Sequence, residues 1–275
     1  MQFDRVDSSK ELMTNFISGE YDVIQTNADN VIAWAEGQGV DGKTHDFVIV
    51  LGGYSGRQPM ELVVAANIKR VDDLRGQVLA VDAINTGYAP MLVYMLRQEG
   101  LVWQEDYDLK SVGGGPMRTE SMLKGETTGG LVTLDDTLVQ AGFHKLLTSA
   151  DYITDYARAV TTARREWSQA NEDLLVRYCR AMVRAINWLL DPANEREAIT
   201  IIMAAGGVSA AEAEQVYSDA VDPVFGFIPD ARIEAAGIEQ ILRIREVMGQ
   251  MQTPLPSAKK YIDEQFYRQA IETLN

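Results

Sequence analysis

The sequence predicts an α/β protein of two lobes with mixed sheets, joined by a hinge and followed by a helical C-terminal part. Three observations point there. Strand and helix signals alternate through the first and middle thirds of the chain, as they do in open α/β sheets. One helix–strand–helix unit recurs later with the same order of signals. The length, 275 residues, accommodates two lobes of ~100–150 residues each.

In chain order, Gln2–Val6 alternates like a short strand. Ser8 or Ser9 then caps a helix that places Leu12, Phe16 and Ile17 on one face, and Gly19 stops it. Tyr21–Thr26 is a β-rich strand ending at Asn27-Ala28-Asp29. Asp29 or Asn30 caps a second helix carrying Val31, Ile32, Trp34 and Ala35, which Gly37 and Gly39 close. Phe47–Leu51 is a continuous apolar run of the kind buried on both faces of a parallel sheet, and Gly52-Gly53-Tyr54 follows it. Leu62–Ala66 and Gln77–Val81 are further strands, with a short helical step over 68–76 between them. The loop 82–87 opens a helix spanning about Tyr88 to Glu99, with Pro90 in its first turn, where a missing N–H costs nothing. Tyr107–Val112 is a strand that runs into Gly113-Gly114-Gly115.

From Asn171 the pattern is helical. Leu174, Leu175, Tyr178, Met182, Ala185, Ile186 and Leu189 recur at helical spacing. Shorter helices follow over Glu195–Ala205, Ser209–Ser218, Ile233–Met251 and Ala258–Thr273.

The recurrence is the most informative organisational feature. Met13–Glu20 leads to the strand 21–26 and then Asp29; Thr119–Glu126 leads to Gly129–Leu134 and then Asp135-Asp136. Both read as helix, Gly-Glu stop, strand, acidic loop and helix, which predicts two similarly built lobes. The expected division places 1–66 plus 162–275 in a discontinuous first lobe and 67–161 in the second.

Composition narrows the partners. The formal charge of −15 repels phosphate backbones and anionic membrane surfaces, so neither nucleic acid nor membrane insertion is expected. One cysteine, Cys179, and two distant histidines, His45 and His144, offer no disulfide, no CxxC motif and no metal set. No cofactor and no metal is expected. No apolar run of ~18 residues occurs, and the start lacks a signal-peptide core. As written the chain reads as cytoplasmic, and as periplasmic or extracytoplasmic if its start has been trimmed.

Candidate ligand-binding residues cluster at strand ends. Asn85, Thr86, Gly87 and Tyr88 sit where a strand hands over to a helix, so free N–H groups and the positive end of the helix dipole converge there. Asn27, Asp29, Gly53 and Tyr54 occupy equivalent ends in the first lobe, and Gly114 and Asp135 in the second. Capping and turn chemistry account for the same residues equally simply. Arg57, Arg118, Arg164 and Arg165 are candidates for clamping an oxyanion, with Arg118 foremost because it follows a strand-end loop. Cys179 reads as a small buried hydrophobe, Trp188 as structural and His45 as exposed. No GxSxG is present, Gly113-Gly114-Gly115 is not a GxGxxG, and no helix with a later ribose-binding acid is evident, so neither a hydrolase elbow nor a dinucleotide loop is indicated.

The ordered set of the two Gly-Glu units, Ile68-x-x-Val71-x-Asp73-Leu74-x-Gly76-x-x-Leu79-Ala80-Val81, and Tyr178…Arg184-Ala185-Ile186-Asn187-Trp188-Leu189-Leu190-Asp191-Pro192 resembles the type II periplasmic solute-binding proteins. The particular group is the SsuA and NMT1-like one, which takes nitrate, sulfonates, taurine and thiamine precursors. The family's usual leading strand–helix unit is missing here. The resemblance implies capture of a small organic or anionic molecule (sulfonate, nitrate, pyrimidine or aromatic acid) in an interlobe cleft. Crossing segments near Val63–Asn67 and Ala157–Ala163 would serve as the hinge, and an ABC-type permease would read the closed form. Whether the chain is an enzyme stays open. The alternatives are an enzyme on the same scaffold (a lyase, hydrolase, decarboxylase or desulfinase), with the cysteine of the desulfinases and the cysteine-rich motif of the related pyrimidine synthases missing here, or a cytoplasmic ligand sensor.

Overall fold

The computed structural model describes residues 4, 6, 9–55, 59–85 and 87–274. The strand expected over Gln2–Val6 and the cap at Ser8 fall essentially outside them. The chain divides into two compact units: 1–56, 156–238 and 257–275 form the first, and 57–155 with 239–256 form the second.

In the first unit, α1 (Ser9–Ser18), β1 (Val23–Asn27), α2 (Ala28–Ala35) and β2 (Phe47–Leu51) come first. The return includes β8 (Ala159–Arg164), α6 (Arg165–Ala170), α7 (Glu172–Leu190), α8 (Glu195–Gly206), α9 (Ala210–Val221) and α11 (Gln265–Glu272). The three-stranded sheet has the order β1-β8-β2, with β8 antiparallel to both neighbours. All five residues of β2 are buried, but the parallel pairing expected for Phe47–Leu51 is wrong. An apolar run reports cover on both faces, not the direction of the neighbouring strand.

Packed on that sheet are α7 and α11. Val48, Val50, Leu51 and Ala163 meet Leu175, Val176, Cys179, Val183 and Ile186 from α7, and Phe266 and Ala270 from α11. Each such aliphatic side chain stabilises the unit by about 1.5–3 kcal/mol relative to exposure. The buried stripe of α7 keeps Leu175 and Ile186 of the expected pattern and adds Val176, Cys179 and Val183. Leu174 is 47% exposed and Ala185 is exposed, because 175, 179, 183 and 186 point at the sheet instead. Burial pushes the Cys179 thiol up to about 12, so it packs as a small inert hydrophobe.

The second unit holds β3 (Glu61–Val64), β4 (Val78–Val81), α3 (Tyr88–Gln98), β5 (Asp108–Ser111), α4 (Gly115–Leu123), β6 (Gly129–Leu131), α5 (Asp136–Gln140) and β7 (His144–Thr148). It also holds α10 (Ala235–Val247) from Glu239 onward. Its sheet is mixed, in the order β5-β4-β6-β3-β7: β4 runs parallel to β5 and β6, while β3 runs antiparallel to β6 and β7. Glycines make the middle of that order possible. A Cβ on Gly129 would lie 2.5 Å from the Val63 carbonyl oxygen, and one on Gly130 would lie 2.8 Å from that of Ala80.

The division differs from the expected one in three places, one of them the return to the first unit, which comes at 156 rather than 162. Residues 61–64 hydrogen-bond into the second unit's sheet rather than ending the first lobe, and 239–256 joins that unit as well. Sequence adjacency suggested the boundary at 66; strand pairing moves it to 56. The helix expected over 258–273 is a 3₁₀ turn at Ala258–Lys260 followed by α11. Among the described residues no helix is long and apolar enough to cross a membrane.

Candidate functional site

Because β4 is parallel to β5 and β6, three carboxyl ends finish on one edge of the second unit's sheet. Each leads through a short loop into a helix: 82–87 into α3, 112–114 into α4 and 132–135 into α5. Ligands of open α/β sheets bind outside such ends.

Arg118 gathers the three ends. It lies in α4 and is only 4% exposed. Its Nε donates to the Leu131 carbonyl at the end of β6 at 3.1 Å, and its Nη1 donates to the Gly113 carbonyl beyond β5, also at 3.1 Å. The guanidinium lies 5.2 Å from the ring centroid of Tyr88, the first residue of α3. Its charge also acts on Asp82, just past β4.

Asp82 closes the loop 82–88 on itself. Its Oδ1 accepts the Tyr88 N–H at 3.3 Å, while Ser111 Oγ donates to its carbonyl at 2.9 Å. Gly87, at φ +69°, is the N-cap residue and provides no side-chain cap. A Cβ there would stand 2.4 Å from Asp82 Oδ2, so only glycine lets the carboxylate fold over this turn. Burial pushes the Asp82 carboxyl above its ordinary range, against the pull of the backbone N–H of Ala83, the Arg118 charge and the N–H of Tyr88. Behind the loop, Arg245 of α10 is fully buried and its Nη2 donates to the Asn85 carbonyl at 3.2 Å.

The expected residues fall as follows. Asn85, Gly87, Tyr88, Gly114, Arg118 and Asp135 all belong to this edge or its helices; Thr86 lies outside the described residues. Gly114 is the N-cap of α4, and Asp135 caps α5 by accepting the Leu138 N–H at 2.9 Å. In the first unit, Asn27 ends β1 and caps α2, its side chain accepting the Asp29 N–H at 3.0 Å, and Asp29 is 1% exposed. The Gly53 carbonyl accepts the Ile228 N–H at 2.9 Å. Tyr54 packs edge-on to Phe227, and its hydroxyl donates to the Asp219 carbonyl at 2.9 Å, so that donor is committed within the first unit. Gly53 and Tyr54 also border a small cavity there with Thr161, Met182 and Ile186.

Arg164 and Arg165 are held by contacts within the first unit. Arg164 donates to the carbonyls of Phe16 and Tyr21, and Arg165 pairs with Asp46 at 2.8 Å; Arg57 lies outside the described residues. His45 is not exposed as expected: it bonds Asp41 at 2.9 Å and stacks on Phe47. His144 stands on β7 opposite Val64.

Two residues that shape the edge were not singled out from the sequence: Asp82, which opens the candidate loop 82–88 but was given no role of its own, and Arg245. For Asp82 the signal was a carboxylate at a strand end, a few residues ahead of a glycine and a helix start without its own cap. For Arg245 it was an arginine seven positions beyond Ile238, on the same face as Ile241 and Leu242. A cation on an apolar stripe is costly to bury and therefore informative.

The architecture is that of the type II periplasmic binding proteins. Residues 2–203 match the model of the NMT1-like family, and the chain belongs to that family. Among solved structures, it is similar to the periplasmic nitrate-binding protein NrtA from Synechocystis PCC 6803, with TM-score 0.71 and 14% identity over 97% of this chain and 78% of that one. The periplasmic aliphatic sulphonate-binding protein SsuA from Escherichia coli aligns with TM-score 0.66 and 17% identity over 94% and 85%. The alkanesulfonate-binding SsuA from Xanthomonas axonopodis pv. citri, bound to MOPS, aligns with TM-score 0.62 and 15% identity over 91% and 82%. No curated protein matches the chain by sequence.

Proposed function

We propose that this chain captures a small molecule and delivers it to an ABC-type transporter, and that the carboxyl edge of the second unit's sheet is part of its ligand surface. The observation that carries the reading is the Arg118 arrangement: one buried cation ties the ends of β6 and β5 and faces the start of α3. A preorganised edge of this kind holds backbone N–H groups and side chains at set positions, so a ligand is bound without a large ordering cost. Membership of a family whose structural neighbours include sulphonate- and nitrate-binding proteins supports the same role.

A thermal-shift screen with sulfonates, nitrate, pyrimidines and aromatic acids tests it. A true ligand raises the melting temperature in proportion to RT ln(1 + [L]/Kd), about 2.7 kcal/mol at a hundredfold excess over Kd. The Asn85→Ala chain should lose most of that shift. A hit whose shift survives Asn85→Ala unchanged would remove the loop 82–88 from the ligand surface.

A further inference from the structure

Resting on that ligand-capture reading, we infer that Asp82 sets the sign of charge the second unit accepts, favouring a neutral or cationic, N–H-donating head group over a free oxyanion. The amino end of α3 is where an anionic ligand would find a free N–H and the positive end of a helix dipole. Here the chain's own carboxylate already stands there: Asp82 Oδ1 accepts the N–H of Tyr88, the first residue of α3, which has no acidic residue of its own in its first turn. The glycine at 87 is what allows this, since its missing Cβ leaves the space that Asp82 Oδ2 fills.

The nearby cation does not reverse the balance. Arg118 directs Nε and Nη1 at backbone carbonyls, and its charge lies close enough to Asp82 to act on that carboxylate. Asp135 and the exposed Asp136 stand at the end of the neighbouring strand, and the whole chain carries −15. An incoming sulfonate or nitrate therefore meets a like charge at the helix start, whereas a protonated amine or an amide N–H meets an acceptor. Like charges about 6 Å apart at an effective dielectric of ~20 discriminate by roughly a hundredfold, and partial exposure reduces this to about tenfold.

The test uses the full chain, labelled for amide chemical-shift titration, and three probes on one ring: benzenesulfonate, benzamide and benzamidine, with sodium chloride as the ionic-strength control. Expected is perturbation of the 82–88 amides by benzamidine or benzamide at concentrations at least tenfold below those at which benzenesulfonate acts. Asp82→Asn, which keeps an acceptor for Tyr88, should close that gap about tenfold; Glu105→Gln, an exposed carboxylate ahead of the amino end of β5, should leave it nearly unchanged. If Asp82→Asn loses the dispersed spectrum of the folded chain, Asp82→Ser takes its place. Benzenesulfonate acting on the wild-type loop as strongly as benzamidine, with no change in Asp82→Asn, overturns the inference and leaves ligand capture standing. No perturbation of the loop by any probe, in either chain, overturns the use of this edge and the inference with it.

Discussion

The two halves of the internal recurrence, α1–β1–α2 in the first unit and α4–β6–α5 in the second, share a local code and differ in what surrounds them. Each helix ends at a glycine in the left-handed region, Gly19 at φ +87° and Gly125 at φ +71°. Phe16 and Met122 occupy matching places and are both buried, at 0% and 1% exposure. An Asx side chain caps the following helix in each, Asn27 in one and Asp135 in the other. Beyond that they diverge. Helix α2 is buried from Ala28 to Trp34, whereas in α5 only Leu138 is buried. Strand β1 is the edge of a three-stranded antiparallel sheet, while β6 lies inside a mixed one. Where the second copy has Arg118, the first has the half-buried Leu12. One local code therefore supports a packed apolar layer in one place and, in the other, a sheet edge tied together by a buried arginine.

The sharpest way to break the comparison is at that pair. Arg118→Ala removes a buried donor from two backbone carbonyls and should destabilise the chain by about 3 kcal/mol in urea unfolding. Leu12→Ala should cost only about 1 kcal/mol. Equal losses would mean that Arg118 is no more than a packing residue. Next come the stop glycines. Gly19→Ala and Gly125→Ala each force an L side chain into the left-handed region and should cost about 1–2 kcal/mol, with similar values for the two; unequal melting-temperature losses would show that the shared code is not shared. The caps follow. Asn27→Ala should lose about 1 kcal/mol, and Asp135→Ala less, because α5 is short and mostly exposed.

The smallest effect is the pH dependence of Asp82. Its folded carboxyl is raised by burial, so the stability contributed by its protonated form is complete below the ordinary value of 3.8 and is lost as the pH rises through the higher folded value. Asp82→Asn should therefore melt above wild type at pH 7, with the difference shrinking toward pH 4. A difference that grows on acidification would contradict the raised carboxyl.

Much of this was legible beforehand. Phe47–Leu51, Tyr88–Gln98 and the Ser209 cap emerged where periodicity and turn residues put them, because their signals come from neighbours a few positions away. The α7 stripe was partly right: Leu175 and Ile186 face the sheet as expected, but Leu174 does not, because it is chemically like Leu175 and only the sheet decides which faces inward. The strand-end loops were found as candidates, but their electrostatics were not. Asp82 looked like an ordinary loop acid until the turn through Gly87 placed it over the start of α3.

The order and kind of elements, the stop and cap residues and the paired helix–strand units could be read along the chain, since backbone dihedrals, capping and side-chain period are set within one or two turns. Only the tertiary structure decided that β8 runs antiparallel between β1 and β2, that β3 joins the second unit, and that Arg118, Asp82 and Arg245 meet around one sheet edge. Those outcomes depend on strand pairing and on side chains brought together from different elements, up to 160 positions apart for Arg245 and Asn85, and such contacts leave no mark on local periodicity.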